Sequence, residues 1–437
     1  ARASQVIPMF ISTLKRLTNK TAGHALWQRG YYDHIIRSPD DYNTIWHYID
    51  TNPAKWAQDT RYVTDFPDPV RRPACCTNKE VTKMSRYFTK TLASLEPYTP
   101  GEQLKIADIV KLNANENPYP PAPGVAAAVA AAVPGLRLYS DLTNGDLNAA
   151  IARHWGVRPE NILCGNGSDE NLLLALRAFC DESTPLAFAD VTYSFYTVLC
   201  DLLHIPQHII PLEADLTIDL KKYCGLHETI VIANPNAPTS LLAPVDAIEE
   251  VLQTNPDNIV IVDETYVEFA PAGSSCLPLL EKYDNLVITH TFSKTHNLAG
   301  ARLGFCIARP ALIADMNRVK FSYSPYNVNA MTQAAGAAAI SDEAYFADVT
   351  AKVIAERTHT TDELCRRGFT VFDSATNFLF ATTDRMPCVE IFEKLRARGI
   401  LIRHFNAPRI SDYLRITIGT PEQMQRFFAA LDEILGE

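Results

Sequence analysis

The chain has 437 residues, of which 47% are hydrophobic and 21% charged, and carries a formal net charge of −10. That length supports two or more cores, and the composition is that of an ordinary soluble globular protein. The acidic balance argues against a nucleic-acid surface over the whole chain, and the Ala-rich run 125–133, stopped by Pro134, is too short to cross a membrane. Ten cysteines without a CxxC pair or metal-ligand spacing suit reduced thiols in a cytoplasm rather than a disulfide framework or a metal centre.

The charge is unevenly spread. Residues 1–83 carry 12 Lys and Arg against 8 Asp and Glu, whereas the remainder carries 28 against 42. Three of the four tryptophans, Trp27, Trp46 and Trp56, lie in this first part, and the proline-bearing stretch from Asp65 to Thr77 reads as a linker. The run from Ala25 to Trp56, ALWQRGYYDHIIRSPDDYNTIWHYIDTNPAKW, resembles the C-terminal end of REP-associated tyrosine transposases. The resemblance puts that family's nucleophile on Tyr48, but the His-apolar-His metal pair the family needs is missing, which leaves Tyr48 without a reaction to run. Lys79-Glu80-Val81 can be encoded by AAGGAGGT, a ribosome-binding sequence, shortly before Met84. Residues 1–83 are therefore expected to be an extra, helical remnant with its linker, read into the frame of an enzyme that begins at Met84. A nucleic-acid binding module there is the weaker alternative.

From Met84 the pattern becomes alternating α/β. LNANENPY, 112–119, reads as an extended loop, 125–133 as a short helix and 146–154 as another. A strand over 161–164 runs into GNGSDE, where Gly165 and Gly167 open a loop and Ser168 is placed to cap the helix carrying 172–179. Such a helix start is an anion site, because its free N–H groups and dipole point outward. Further apolar runs at 186–189, 229–233, 259–262 and 286–288 each end in a polar cluster. Those clusters hold Thr192-Tyr193, NPNAPTS from Asn234, Asp263-Glu264-Thr265-Tyr266, and Thr291, Ser293 and Lys294 with Arg302 beyond. Open α/β sheets place their ligand sites at such strand ends. At the C-terminus, Thr420 and Pro421 start a helix to Leu435 whose Met424, Phe427, Phe428, Leu431 and Leu435 recur at core spacing.

These groups together suit pyridoxal 5′-phosphate. Lys294 supplies an amine whose pKa burial and cationic neighbours would lower, as a nucleophile requires. Asp263 would keep the ring nitrogen protonated, Tyr266 would donate to the ring's phenolic oxygen, and Tyr193 would cover a ring face. The phosphate would take the N–H groups of Gly167, Ser168 and Asp169 with Thr291, Ser293 and Arg302.

LNANENPYP, RLYSD, GNGSDE, NPNAPTS, VDETYVEF, THTFSKTHNLAGARLGF, PYNVN and YLRITIGT, in this order, resemble the histidinol-phosphate aminotransferase family of fold-type I enzymes. The resemblance implies a three-layered α/β fold with a mostly parallel central sheet. It divides the chain into a large cofactor-binding domain at 138–360 and a small α/β domain made of 84–137 and 361–437. It implies a homodimer in which Tyr139 reaches the partner subunit's cofactor phosphate. It also assigns Arg415 to the substrate's α-carboxylate or equivalent group, Arg403 to the substrate phosphate and Asn377 to the same pocket, with Tyr119 a further donor. Both arginines adjoin apolar residues, which favours inward placement. The implied reaction converts histidinol phosphate and 2-oxoglutarate to imidazole acetol phosphate and glutamate, with Lys294 moving a proton between Cα and the cofactor. An aromatic aminotransferase or a threonine-phosphate decarboxylase on the same scaffold are the alternatives. The sequence departs from the family at NPNAPTS, usually NPNNPTG. The asparagine expected beside the phenolic oxygen falls on Ala237, leaving Asn236 to substitute or merely to pack the loop.

Overall fold

A computed structural model of the chain describes residues 85–103 and 108–436. The transposase-like run, Tyr48, the linker and Met84 lie outside the described residues.

The central sheet has seven strands: β2 (Ile162–Gly165), β3 (Leu186–Ala189), β4 (Gln207–Ile210), β5 (Thr229–Ala233), β6 (Val260–Asp263), β7 (Leu286–Thr291) and β8 (Gly304–Ala308). Their order is β2-β8-β7-β6-β5-β3-β4, parallel except for β8, which runs antiparallel to both neighbours. Strands β5, β6 and β7 are apolar on both faces because both faces are covered, and their alternate side chains go to different cores. Ile230, Ile232, Val260, Val262, Leu286 and Ile288 face helices α1 (Gly124–Ala132), α2 (Gly145–Trp155), α5 (Val245–Thr254) and α7 (Ala330–Ser341). Val231, Ile261 and Val287 face α3 (Ser168–Phe179), α4 (Phe195–Leu203) and α6 (Pro310–Tyr323). The result is the expected α/β/α sandwich.

Beyond the long α8 (Glu343–Arg366), a second sheet forms from β9 (Phe369–Val371), β10 (Phe378–Thr383), β12 (Arg403–His404) and β13 (Leu414–Thr417), in the order β12-β13-β10-β9. A two-stranded parallel pair joins β1 (Val110–Lys111) to β11 (Ile400–Leu401), so the chain before the large sheet is tied to the chain after it. Helices α9 (Cys388–Ala397) and α10 (Pro421–Leu435) pack on these strands in a core of their own.

Local chemistry explains α10. Thr420 accepts from the Gln423 N–H while Gln423 Oε1 accepts from the Thr420 N–H, a reciprocal capping box, and Gly436 ends the helix at φ +77°. Its buried stripe is Met424, Phe427, Phe428, Leu431 and Ile434; Leu435 lies only half-buried, because one residue of helical drift carries it past the core edge. Two other expected boundaries also move. Strand β7 continues to Thr291, three residues beyond the apolar run, because it pairs with β8 as far as Gly304. At α3 the capping position belongs to Gly167 and Ser168 is already helical, so no side chain caps that end and its N–H groups stay available.

Candidate active site

The C-terminal ends of β5, β6 and β7, the start of α3 and the second sheet enclose a cavity of about 280 Å³. Ser168, Asp169, Tyr193, Asp263, Tyr266, Thr291, Ser293, Lys294, Arg302, Arg403 and Arg415 all line it. The side chains come from strand ends of one sheet and from β12 and β13 of the other, spread in sequence from Ser168 to Arg415.

Lys294 lies just past β7. Its Nζ donates to the Ala114 carbonyl (3.2 Å), and Asn117 Nδ2 donates to the Lys294 carbonyl (2.9 Å), so the LNANENPY loop holds both ends of the residue. Burial, reinforced by the nearby Arg415 charge, lowers the amine to about 8. Near neutral pH an appreciable fraction is therefore the free nucleophile.

Asp263 ends β6 and is buried. Tyr196 donates its hydroxyl to Oδ2 (2.8 Å), and Thr265 donates its hydroxyl to Oδ1 (2.7 Å). Burial raises this carboxyl despite those donors. Among the described residues no lysine, arginine or histidine pairs with it, so a buried carboxylate faces the cavity without a cation. Tyr196 was not legible as a site residue, although it stands one helical turn after Tyr193.

Asp169 acts as a clamp: Tyr193 donates its hydroxyl to Oδ1 (3.0 Å) and Arg302 donates to Oδ2 (2.8 Å). Thr291 and Ser293 hydroxyls lie 3.0 Å apart beside the first turn of α3, whose N–H groups at Ser168 and Asp169 have no partner within the helix. Gly167 packs so closely that a Cβ there would sit 2.6 Å from Arg302 Nη2, and its φ of +82° also demands glycine. Tyr98 makes an edge-on contact with Tyr193 at 5.8 Å. It comes from a segment in which nothing in the sequence marks a binding residue.

Tyr266 accepts from Asn115 Nδ2 (2.9 Å), and Asn115 is in turn held by Thr417, whose hydroxyl takes its N–H at 3.0 Å. Burial pushes the Tyr266 hydroxyl up to about 12, which keeps it protonated. Arg415 donates Nη2 to the Asn113 carbonyl (3.0 Å) and lies over Phe378 and Phe405, with its buried Nε unpartnered among the described residues. Arg403 donates to the carbonyls of Thr99 and Pro100, each at 3.2 Å.

Five expected residues lie outside the cavity lining. The Gly167 N–H is taken by the Gly165 carbonyl (2.9 Å) rather than left for a ligand. Asn236 accepts from Thr192 (2.7 Å) and donates to the Val191 carbonyl (2.9 Å) and the Thr239 hydroxyl (3.0 Å), so its amide holds the loop together while Ala237 lines the cavity. Asn377 is fully buried and donates to the Asn115 carbonyl (3.0 Å), supporting the site from behind. Tyr119 turns its ring toward Lys352 Nζ, 5.8 Å away. Tyr139 is 83% exposed and stacks on Tyr326 at 4.5 Å.

A family profile described as "Aminotransferase class I and II" matches residues 107–431. The chain belongs to that family. It is 44% identical over 352 residues to histidinol-phosphate aminotransferase 1 of Bradyrhizobium diazoefficiens, covering 80% of this chain and 100% of the relative. It is 43% identical over 358 residues to histidinol-phosphate aminotransferase 2 of Dechloromonas aromatica, covering 81% of this chain and 100% of the relative. In structure it is similar to histidinol-phosphate aminotransferase from Sinorhizobium meliloti, solved in complex with pyridoxal-5′-phosphate, with a TM-score of 0.72 at 26% identity over 81% of this chain and 99% of that one. The fold is thus the fold-type I aminotransferase fold expected from the sequence. No described helix of this aminotransferase is long and apolar enough to cross a membrane.

Proposed function

We propose that this aminotransferase moves an amino group between histidinol phosphate and 2-oxoglutarate, giving imidazole acetol phosphate and glutamate, with pyridoxal 5′-phosphate as cofactor. One observation carries the reading: a single cavity holds the Lys294 amine together with the guanidinium groups of Arg403 and Arg415. A substrate with an amine to exchange and a dianion to anchor needs both. The similarity to whole relatives named for this activity supports it.

The residues fit the cofactor on a feature of the site itself. Asp263 is a buried carboxylate whose two side-chain donors are hydroxyls, and a protonated ring nitrogen supplies the positive charge it lacks. When bound, the cofactor provides an electron sink for negative charge developing at the substrate Cα. Asp263, positioned by Tyr196 and Thr265, would hold the ring nitrogen in its protonated form. Tyr193, fixed by Asp169, would pack against the ring. Tyr266 would serve as donor to the phenolic oxygen, where Ala237 offers none. The N–H groups of Ser168 and Asp169, the hydroxyls of Thr291 and Ser293, and Arg302 would hold the phosphate. The Lys294 amine would take the proton from Cα of the amino donor and, in the second half-reaction, deliver one to the corresponding carbon of the keto acid. Arg415 binds the group next to the substrate amine, and Arg403 the substrate phosphate.

The exposed Tyr139 and Tyr326 pair supports a homodimer in which Tyr139 completes the partner's phosphate site. The separate cores of the two sheets support the division into a large domain at 138–360 and a small one at 84–137 and 361–437, except that α1 packs into the core of the large sheet. The reduced-thiol pattern of the cysteines supports a cytoplasmic location.

Arg403→Ala tests the substrate assignment. Losing a charge-assisted contact to phosphate costs about 2 kcal/mol, or roughly thirtyfold in kcat/KM for histidinol phosphate. Turnover of an aromatic amino acid without phosphate should fall by no more than roughly threefold on the same argument, since that substrate never makes the contact. Equal losses on both substrates in steady-state assays would remove Arg403 from the phosphate site.

A further inference from the structure

Behind the lysine loop, on the side away from the cavity lining, His154 from α2, Glu268 from the turn after β6, and His296 meet. Their side chains are 16%, 13% and 2% exposed. Nothing in the transamination chemistry uses them. His154 Nε2 lies 3.5 Å and His296 Nε2 3.9 Å from the same carboxylate oxygen, Glu268 Oε1. Both separations exceed those of an N–H···O hydrogen bond, and among the described residues Oε1 has no hydrogen-bond partner although it is buried. The other oxygen, Oε2, accepts from the Thr295 hydroxyl, which fixes the carboxylate with Oε1 turned to the two imidazoles.

We propose that His154, Glu268 and His296 form a binding site for a divalent transition-metal ion of the zinc class. The three ligand atoms lie within 4.8 Å of one another, and those on a tetrahedral ion with bonds of about 2.0–2.1 Å lie roughly 3.3 Å apart, so a closure of no more than about 1.5 Å brings all three into coordination. Two imidazole nitrogens and one carboxylate oxygen suit zinc rather than calcium or magnesium, which prefer oxygen alone. A water molecule would fill the fourth position. The Thr295 hydroxyl plays the part usual for an outer-shell donor, orienting a ligating carboxylate. Phe346 packs against both rings, at 5.6 Å from His154 and 4.9 Å from His296, and limits their rotation. The ion would tie α2 to the turn after β6 and to the segment two residues beyond Lys294, a staple under the reactive loop and no part of the reaction.

The test uses the full chain with its cofactor, stripped of metal and titrated with Co²⁺ and Zn²⁺ alone. The expected result is one tightly held equivalent per chain, an intense tetrahedral Co²⁺ band well separated from the cofactor's absorption, and a rise in Tm on adding Zn²⁺. His296→Gln and, separately, Glu268→Gln should weaken Zn²⁺ binding by more than the ~10–100-fold that follows loss of an outer-shell partner. The cofactor band of each variant reports that it has folded. Where one substitution prevents folding, the other and His154→Gln carry the test. Binding no tighter than millimolar to the wild type, or unchanged affinity in folded variants, overturns the proposal.

Discussion

Lys294→Ala is expected to abolish transamination while leaving the fold intact. The loss of the positioned base alone accounts for about 10²–10⁴-fold in rate. The variant also loses the amine to which borohydride fixes the cofactor, so peptide mapping of the reduced wild type should place the label on Lys294 and nowhere else. The structure adds a pH signature. Because burial lowers this amine to about 8, labelling of Lys294 in the cofactor-free chain by an amine-directed reagent should rise as pH passes about 8, well before an ordinary lysine responds. The fold tolerates the change because Lys294 makes one weak side-chain contact, to a carbonyl, and its backbone is held separately by Asn117. An active Lys294→Ala enzyme, or a borohydride label on another lysine, removes the residue from the chemistry.

The second large effect belongs to Asp263. Asp263→Asn retains the size of the side chain but removes the charge that faces the cavity. The two hydroxyl donors from Tyr196 and Thr265 now meet an amide, and the cationic ring nitrogen loses its counter-charge. Breaking a buried ion pair from one side costs about 3–5 kcal/mol, which corresponds to at least a hundredfold in kcat/KM. Cofactor affinity should fall alongside, measured by equilibrium dialysis. A Tyr196→Phe variant, which leaves the charge and removes one donor, should fall between the wild type and Asp263→Asn. Retention of more than a tenth of wild-type activity by Asp263→Asn would contradict the role given to it.

Much of this site was legible in the sequence because open α/β sheets bring the C-terminal ends of their parallel strands together. Tyr193, Asp263, Tyr266 and Lys294 each follow an apolar run, and that rule alone predicted their convergence. The residues that were missed act through side-chain direction or through distant segments. Tyr196 reaches Asp263 because the first turn of α4 faces the sheet, and Asn115 reaches Tyr266 because Thr417 of β13 fixes its loop. Neither relation has a local pattern. Asn236 and Asn377 lie outside the cavity lining for a common reason. A motif position gives the place of the backbone, whereas the direction of a short amide depends on which buried carbonyls and hydroxyls need a partner. For Asn236 those were Val191, Thr192 and Thr239, and the amide is fully taken by them. The Gly167 N–H illustrates the same competition within a single turn, since Gly165 claims it.

Comparing amino donors separates histidinol-phosphate transamination from its alternatives. Initial rates of glutamate formation from 2-oxoglutarate would be measured with histidinol phosphate, phenylalanine and tyrosine as donors, with carbon dioxide release from threonine phosphate followed in parallel. The kcat/KM for histidinol phosphate should exceed that for either aromatic amino acid by about thirtyfold or more, the worth of one well-formed phosphate contact beyond the shared amine chemistry, with no carbon dioxide released. Phenylalanine or tyrosine turned over as well as histidinol phosphate, or carbon dioxide evolved from threonine phosphate, would contradict it.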